Sequence, residues 1–188
     1  DESIQVARLL EADGALDALR SIGERSDVVV ENFATGVMER LGLGYEQLRE
    51  IRPEIILLSA SGLGRSGPDA EKVAYGNLLS AYTGFSSLNG FPGREPRTGL
   101  AWADPLCGLL IAFSVAAALR VRGLGGGGRH IDFSMLEALL WTMPGALVNR
   151  QLGEADDEPA GNEHARHIPH GVYRCAGDDR WLAIAVTN

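Results

Sequence analysis

Two short apolar runs, separated by about one helix's length of chain, govern what this sequence can fold into. Asp27-Val28-Val29-Val30 is β-branched and unbroken, and Ile55-Ile56-Leu57-Leu58 repeats the pattern. A strand that is apolar at every position, rather than at alternate ones, is buried on both faces, as strands of parallel sheets are. Between the runs Val37, Leu41, Leu48 and Ile51 recur at helical spacing, so a single helix over residues 36–51 is predicted despite Gly42 and Gly44, with Pro53 ending it. Strand, helix, strand at this density is a βαβ crossover, and the chain reads as α/β. Ligands of such sheets bind where the strands end, which singles out loops 32–36 and 59–68.

The remainder fits that reading. Residues 4–25 carry apolar positions at helical spacing and predict one or two amphipathic helices. After a glycine- and proline-rich stretch over 83–99, Asp104-Pro105 opens a long helix through Leu106, Leu109, Leu110, Phe113, Ala117 and Leu119, closing on Arg120 and Arg122. Residues 123–128 form a turn, 129–133 a strand, and 134–151 a further helix with Glu137 in its first turn. Composition then shifts to acidic residues, Gly, Pro and His over 153–169. Residues 171–175 and 181–186 alternate around Gly177-Asp178-Asp179 as a hairpin. The expected division is a partial large Rossmann-like domain over 1–150, a linker over 151–168, and the start of a small α+β domain over 169–188.

Composition narrows the function. The chain has 188 residues, 45% hydrophobic and 22% charged, which is globular and one or at most two domains. A net charge of -8 argues against non-specific nucleic-acid binding, although a single lysine among 17 basic residues leaves arginine to form a local anion site. Cys107 and Cys175 lie far apart, without metal-ligand or disulfide-framework spacing. The apolar stretch around Leu106 to Leu119 reads as too short to span a bilayer, and residues 1–10 lack a secretory leader, so no membrane partner and a cytoplasmic location are expected. The chain starts without methionine and ends on a strand-like run, from which a fragment is expected.

Three motifs are decoys. Gly62-Leu63-Gly64-Arg65-Ser66-Gly67 matches the dinucleotide fingerprint, but Pro68-Asp69 follows instead of a helix, and no acidic residue falls between Lys72 and Arg94 to hold a ribose. The glycines at 125–128 feed a strand and lack the Lys-Ser or Lys-Thr of a phosphate loop. His164, His167 and His170 have metal-like spacing but sit in an acidic loop, where they read as solvated histidines and no metal is expected.

Asp104 reads first as a helix N-cap. A carboxylate at a helix start also lies among free N–H groups and a positive dipole, where an oxyanion is stabilised, and it can act as a nucleophile.

Taken together, Val30-Glu31-Asn32-Phe33 with Gly36, Leu41-Gly42-Leu43-Gly44-Tyr45-Glu46, Ser59-Ala60-Ser61-Gly62-Leu63-Gly64 with Gly67-Pro68, Ala103-Asp104, Gly128-Arg129-His130-Ile131-Asp132-Phe133-Ser134-Met135 and Gly171-Val172-Tyr173 resemble the class III CoA-transferases, the CaiB/BaiF-like family of formyl-CoA transferase and the carnitine CoA-transferases. Their order and spacing carry the resemblance, which extends from about residue 27 to 186. It implies transfer of coenzyme A between an acyl-CoA thioester and a small carboxylic acid, with Asp104 matching the catalytic aspartate. The resemblance also implies coenzyme A contacts at Asn32, Phe33 and Arg40, a site-lining tyrosine at Tyr75, no metal, and a fragment of an interlocked homodimer. The related racemases have a histidine followed by an aspartate where Tyr75 and Gly76 stand, which argues against α-proton transfer. The shielding glycine loop of formyl-CoA transferase matches residues 161–170, which here lack the glycine run, so oxalate specificity is disfavoured. An acyl-CoA racemase or other isomerase, or a non-catalytic subunit that binds coenzyme A beside an active partner, are the alternatives.

Overall fold

A computed structural model describes residues 21, 25–97, 99, 101–153, 159–164 and 166–187. The predicted helices over residues 4–25 lie almost wholly outside the described residues. Packing divides the chain into two compact units, one running up to Tyr75 and including Ala103–Ala138, the other combining Gly76–Trp102 with residues from Leu139 onward.

The first unit is a parallel sheet with helices. Strand β1 (Val28–Glu31), β2 (Ile56–Ser61) and β3 (Arg129–Ser134) lie side by side in that order. Both pairings are parallel, with Val28 opposite Ile56 and Ile56 opposite Arg129. β2 is central, and Ile55, Ile56, Leu57 and Leu58 are fully buried, which is why the sequence shows an unbroken run there. Alternation turns Ile55 and Leu57 toward one face, where Met38, Leu43 and Leu48 join them in a core flanked by Val29, Leu41 and Tyr45. Each such side chain contributes about 2 kcal/mol on burial.

The single helix predicted over 36–51 is two. α1 (Val37–Arg40) ends, and α2 (Tyr45–Ile51) begins after a turn in which Gly42 has φ +68°. A side chain at Gly44 would lie 2.8 Å from Gln47 Oε1 and 3.1 Å from Glu39 Cγ. The glycines that helical spacing passes over therefore make the break. α4 (Ala103–Val121) packs on β2, starts one residue before Asp104 and passes into a wide turn over Arg122–Gly126. Asp104 thus lies inside the first turn rather than capping it.

The segment Ala103–Gly126 has 24 residues and contains an 18-residue stretch with a mean hydropathy of 1.7, long and apolar enough by length and composition to cross a bilayer. The charge-free run from Pro105 to Leu119 is too short by itself, but the helix and the turn after it take in Asp104, Arg120 and Arg122 and so extend beyond it. The segment is nonetheless part of the α/β unit, because Ala103, Cys107 and Ala118 are buried and Arg122 is tied to the sheet.

At the end of the sheet where the strands begin, Arg122 Nη1 donates to the carbonyls of Asp27 (3.2 Å) and Glu54 (3.1 Å), and Nη2 reaches Asp27 Oδ1 at 3.0 Å. Gly128 passes so close to Pro53, Glu54 and Ile55 that a Cβ there would lie 2.4 Å from the Ile55 carbonyl. The glycine stretch is an obligatory close approach of backbone to backbone.

In the second unit α3 (Gly76–Tyr82) leads into a 3-10 turn over Phe85–Leu88. The helix predicted over 134–151 is also two. α5 (Met135–Trp141) continues from β3 and runs across the boundary of the units, and α6 (Pro144–Leu152) follows. Pro144 at the first position of α6 accounts for the break, since it has no N–H to continue the ladder. β4 (His170–Arg174) and β5 (Trp181–Ala185) form the antiparallel hairpin expected from alternation, turning through Gly177 (φ +110°) and Asp179 (φ +47°).

Candidate functional site

The carboxyl ends of β1, β2 and β3 present one row of polar side chains. Register places Glu31 opposite Ser59, and Ser59 opposite Asp132. β1 and β2 change from apolar to polar toward this end, and loops 32–36 and 62–68 follow them.

Glu31 is 7% exposed. Its Oε2 accepts the Phe33 N–H at 2.7 Å, turning the loop back on the strand that precedes it. Its Oε1 lies 3.4 Å from Arg65 Nη1, while Arg65 Nη2 pairs with Glu39 of α1. The Arg65 backbone N–H donates to Asp132 Oδ1 at 3.3 Å. Beneath this layer Ser59 Oγ and His130 Nε2 are 2.9 Å apart, and Tyr45 stacks on the His130 ring at 5.5 Å. Burial, and then the Arg65 charge, push the His130 pKa below its ordinary value against the pull of Asp132, Glu39 and Glu31.

Of the residues chosen from sequence, Asn32, Phe33 and Arg40 come together here. Asn32 is exposed and Phe33 is 38% exposed, both on the loop leaving β1. Arg40, one turn into α1, folds back so that Nη1 lies 2.9 Å from where a Cβ on Gly36 would stand. Gly36 has φ +83°, so this loop needs glycine both for its backbone and for room beside the guanidinium. Among the described residues no hydrogen bond or ion pair engages the Asn32 or Arg40 side chains, and both face solvent.

Asp104 is exposed in the first turn of α4, and no hydrogen bond or ion pair engages its carboxylate among the described residues. Its charge acts on Cys107, whose thiol is pushed up to about 11 first by burial and then by Asp104. Tyr75 is 75% exposed and immediately precedes α3. Among the described residues no hydrogen bond joins Tyr75 or Asp104 to the strand-end cluster.

Sequence reasoning missed Arg65, Asp132, His130 and Ser59 as a connected group. The signal was available, because the strand-end rule had singled out loop 59–68, but Arg65 was weighed only as part of a glycine motif. After Gly67 the chain makes turns, and the next helix starts at Gly76, so the helix that a dinucleotide fingerprint requires is missing at that place. In the second unit the His164 ring lies 4.3 Å from His167 and 5.4 Å from His170, so these rings meet one another instead of standing apart in solvent. Among the described residues no group of three His, Cys, Asp or Glu is placed to hold a metal ion.

The chain matches the model of CoA-transferase family III over residues 7–188. It is 36% identical over 165 residues to an acetyl-CoA:oxalate CoA-transferase of Acetobacter aceti, covering 82% of this chain and 42% of that protein. With a succinyl-CoA–D-citramalate CoA-transferase of Chloroflexus aurantiacus it shares 33% identity over 159 residues, covering 84% of this chain and 39% of the relative. A crystal structure of a CaiB/BaiF family protein from Brucella suis superposes with a TM-score of 0.86 at 30% identity, over 94% of this chain and 46% of that one. The chain therefore spans less than half the length of these relatives. A family match across nearly all of its residues, on a parallel-sheet fold shared with a CaiB/BaiF protein, places the chain in CoA-transferase family III.

Proposed function

We propose that the protein to which these residues belong transfers coenzyme A from an acyl-CoA thioester to a small carboxylic acid, with Asp104 as the nucleophile. The observation that carries the reading is an exposed carboxylate in the first turn of α4, engaged by no side-chain partner among the described residues, inside a chain that matches CoA-transferase family III. An Asp104 oxygen attacks the acyl carbonyl carbon, the C–S bond breaks, and CoA leaves as thiolate to give a mixed anhydride. The thiolate then attacks the Asp104 carbonyl carbon, expelling the donor acid and leaving an aspartyl-CoA thioester. The acceptor carboxylate attacks that thioester and releases the thiolate, which takes the acceptor acyl group from the second anhydride and returns Asp104 to carboxylate. Backbone N–H groups beyond Pro105 at the start of α4 suit the oxyanions of these steps.

Loop 32–36 and Arg40 suit the nucleotide end of coenzyme A. Phe33 offers an aromatic surface for adenine, and the Arg40 guanidinium offers paired donors for phosphate. Tyr75 completes the proposed contacts, and an interlocked homodimer is the proposed assembly. The acids in the names of the two relatives, oxalate and D-citramalate, are small and carry two carboxylates, and that is the class proposed here.

Mass spectrometry of the complete protein, quenched after mixing with a panel of acyl-CoA donors, tests this mechanism. The expected result is an acyl or CoA adduct mapped to Asp104 and absent from Asp104→Ala. Protein that binds coenzyme A but forms no adduct with any donor would instead favour the isomerase or the non-catalytic partner subunit.

A further inference from the structure

We propose that Arg65 is a positioning residue that sets the shape of loop 32–36, and so controls affinity for the nucleotide half of coenzyme A without touching it; this rests on the CoA-binding reading above. One arginine ties together four elements at the strand ends. Its backbone N–H is fixed to Asp132 on β3, and its side chain reaches Glu31 on β1 and Glu39 on α1 from the loop that follows β2. The Arg65 side chain is 11% exposed and that of Glu31 4%, so the pair is largely out of water while Glu39 closes the outer side.

A carboxylate so enclosed needs compensation on both oxygens. Glu31 receives it from Arg65 on Oε1 and from the Phe33 N–H on Oε2. The second bond orients the Asn32-Phe33 peptide, and the first holds Glu31 in place to accept it. Removing Arg65 leaves Glu31 with the Phe33 N–H as its remaining donor among the described residues. It also releases the Glu39 side chain, one residue before Arg40 on α1, while Met38 keeps the helix on the core. The loop and the arginine that flank one ligand surface thus share Arg65 as a support, to which the Thr35 hydroxyl, donating to the Ala70 carbonyl at 2.8 Å, adds a separate tie on the far end of the loop. Lysine replaces it only in part, because a point charge does not bridge two carboxylates in the way a planar fork does.

The test uses the complete protein and calorimetric binding of two probes, coenzyme A and pantetheine, which lacks the nucleotide and its phosphates. Arg65→Met is expected to weaken coenzyme A binding roughly tenfold while leaving pantetheine binding unchanged. Arg65→Lys is expected to fall between the wild type and Arg65→Met. The double variant Arg65→Met/Glu31→Gln removes the stranded charge and keeps an oxygen for the Phe33 N–H, so it is expected to regain coenzyme A affinity relative to Arg65→Met. It also stands in if the single variant does not fold.

Equal weakening for both probes, or none for coenzyme A, would overturn the positioning role while leaving coenzyme A binding by the wild type intact. A wild type that binds neither probe overturns the proposed function and the Arg65 role with it.

Discussion

Cys107 sits three residues beyond Asp104, one turn along the same face of α4, and the two side chains share an electrostatic fate. Burial first and the Asp104 carboxylate second hold the thiol at about 11, so at pH 8 about one molecule in a thousand carries the thiolate. Iodoacetamide should therefore label exposed Cys175 in the native protein and leave Cys107 unmodified until denaturant is added. Asp104→Asn should speed Cys107 labelling only slightly, because burial is the larger cause; rapid labelling in that variant would reverse the order of the two. His130 carries a second prediction. Its folded pKa lies below that of an unfolded histidine, near 6.5, so the unfolded state takes up a proton that the folded state resists. Stability is lost as pH falls through that value toward the lower folded pKa. His130→Asn should show a smaller drop in Tm between pH 7.5 and 5.5 than the wild type, and an equal drop would assign the acid sensitivity elsewhere.

At the scale of elements, the two ends of the sheet are held differently, and each can be probed by one substitution. Gly128→Ala puts a methyl carbon 2.4 Å from the Ile55 carbonyl, a contact that backbone on both sides prevents from relaxing. The expected cost is about 2 kcal/mol or more, read from denaturant midpoints, whereas Gly145→Ala, with open space around it, should be close to neutral. Arg122→Ala removes three bonds to Asp27 and Glu54 and should cost about 1 to 2 kcal/mol. These constraints also explain what was legible in the sequence. β2 was legible because burial on both faces demands an unbroken apolar run, and the hairpin was legible from alternation; β1 shows a similar run, but it lies at the outer side of the described sheet with Val28 and Val29 partly buried and Val30 53% exposed, so burial on both faces holds for β2 and not for β1. The breaks between α1 and α2 and between α5 and α6 were passed over, because apolar spacing continues across Gly42 and Pro144 while the backbone does not. Loop 32–36 was legible from the strand-end rule. Arg65 was not, because its importance comes from Glu31 and Glu39, 34 and 26 positions away in sequence, and only the register of β1 and β2 brings them together.

The whole chain leaves a large amount of apolar surface in water. On α4 and the turn after it, Leu109, Phe113 and Leu124 are 70%, 73% and 69% exposed, at spacings that line one side of the helix. Each would gain about 2 kcal/mol from burial, and a patch of this kind on a monomer marks an interface or a route to aggregation. The relatives are more than twice as long as the segment matched here, so further chain is available in proteins of this kind to cover such a face. Residues 1–188 expressed alone are therefore expected to self-associate, seen as heterogeneous mass in light scattering and as binding of a hydrophobic dye. Leu109→Glu with Phe113→Glu should shift that isolated chain toward a monodisperse monomer. In the complete protein the same pair should have the opposite effect, lowering stability by about 3 kcal/mol or more, because charges would then be forced into a covered surface. A monodisperse, cooperatively melting monomer of the unsubstituted 188 residues would mean that α4 tolerates water on this side, and the pair should then be neutral in both contexts.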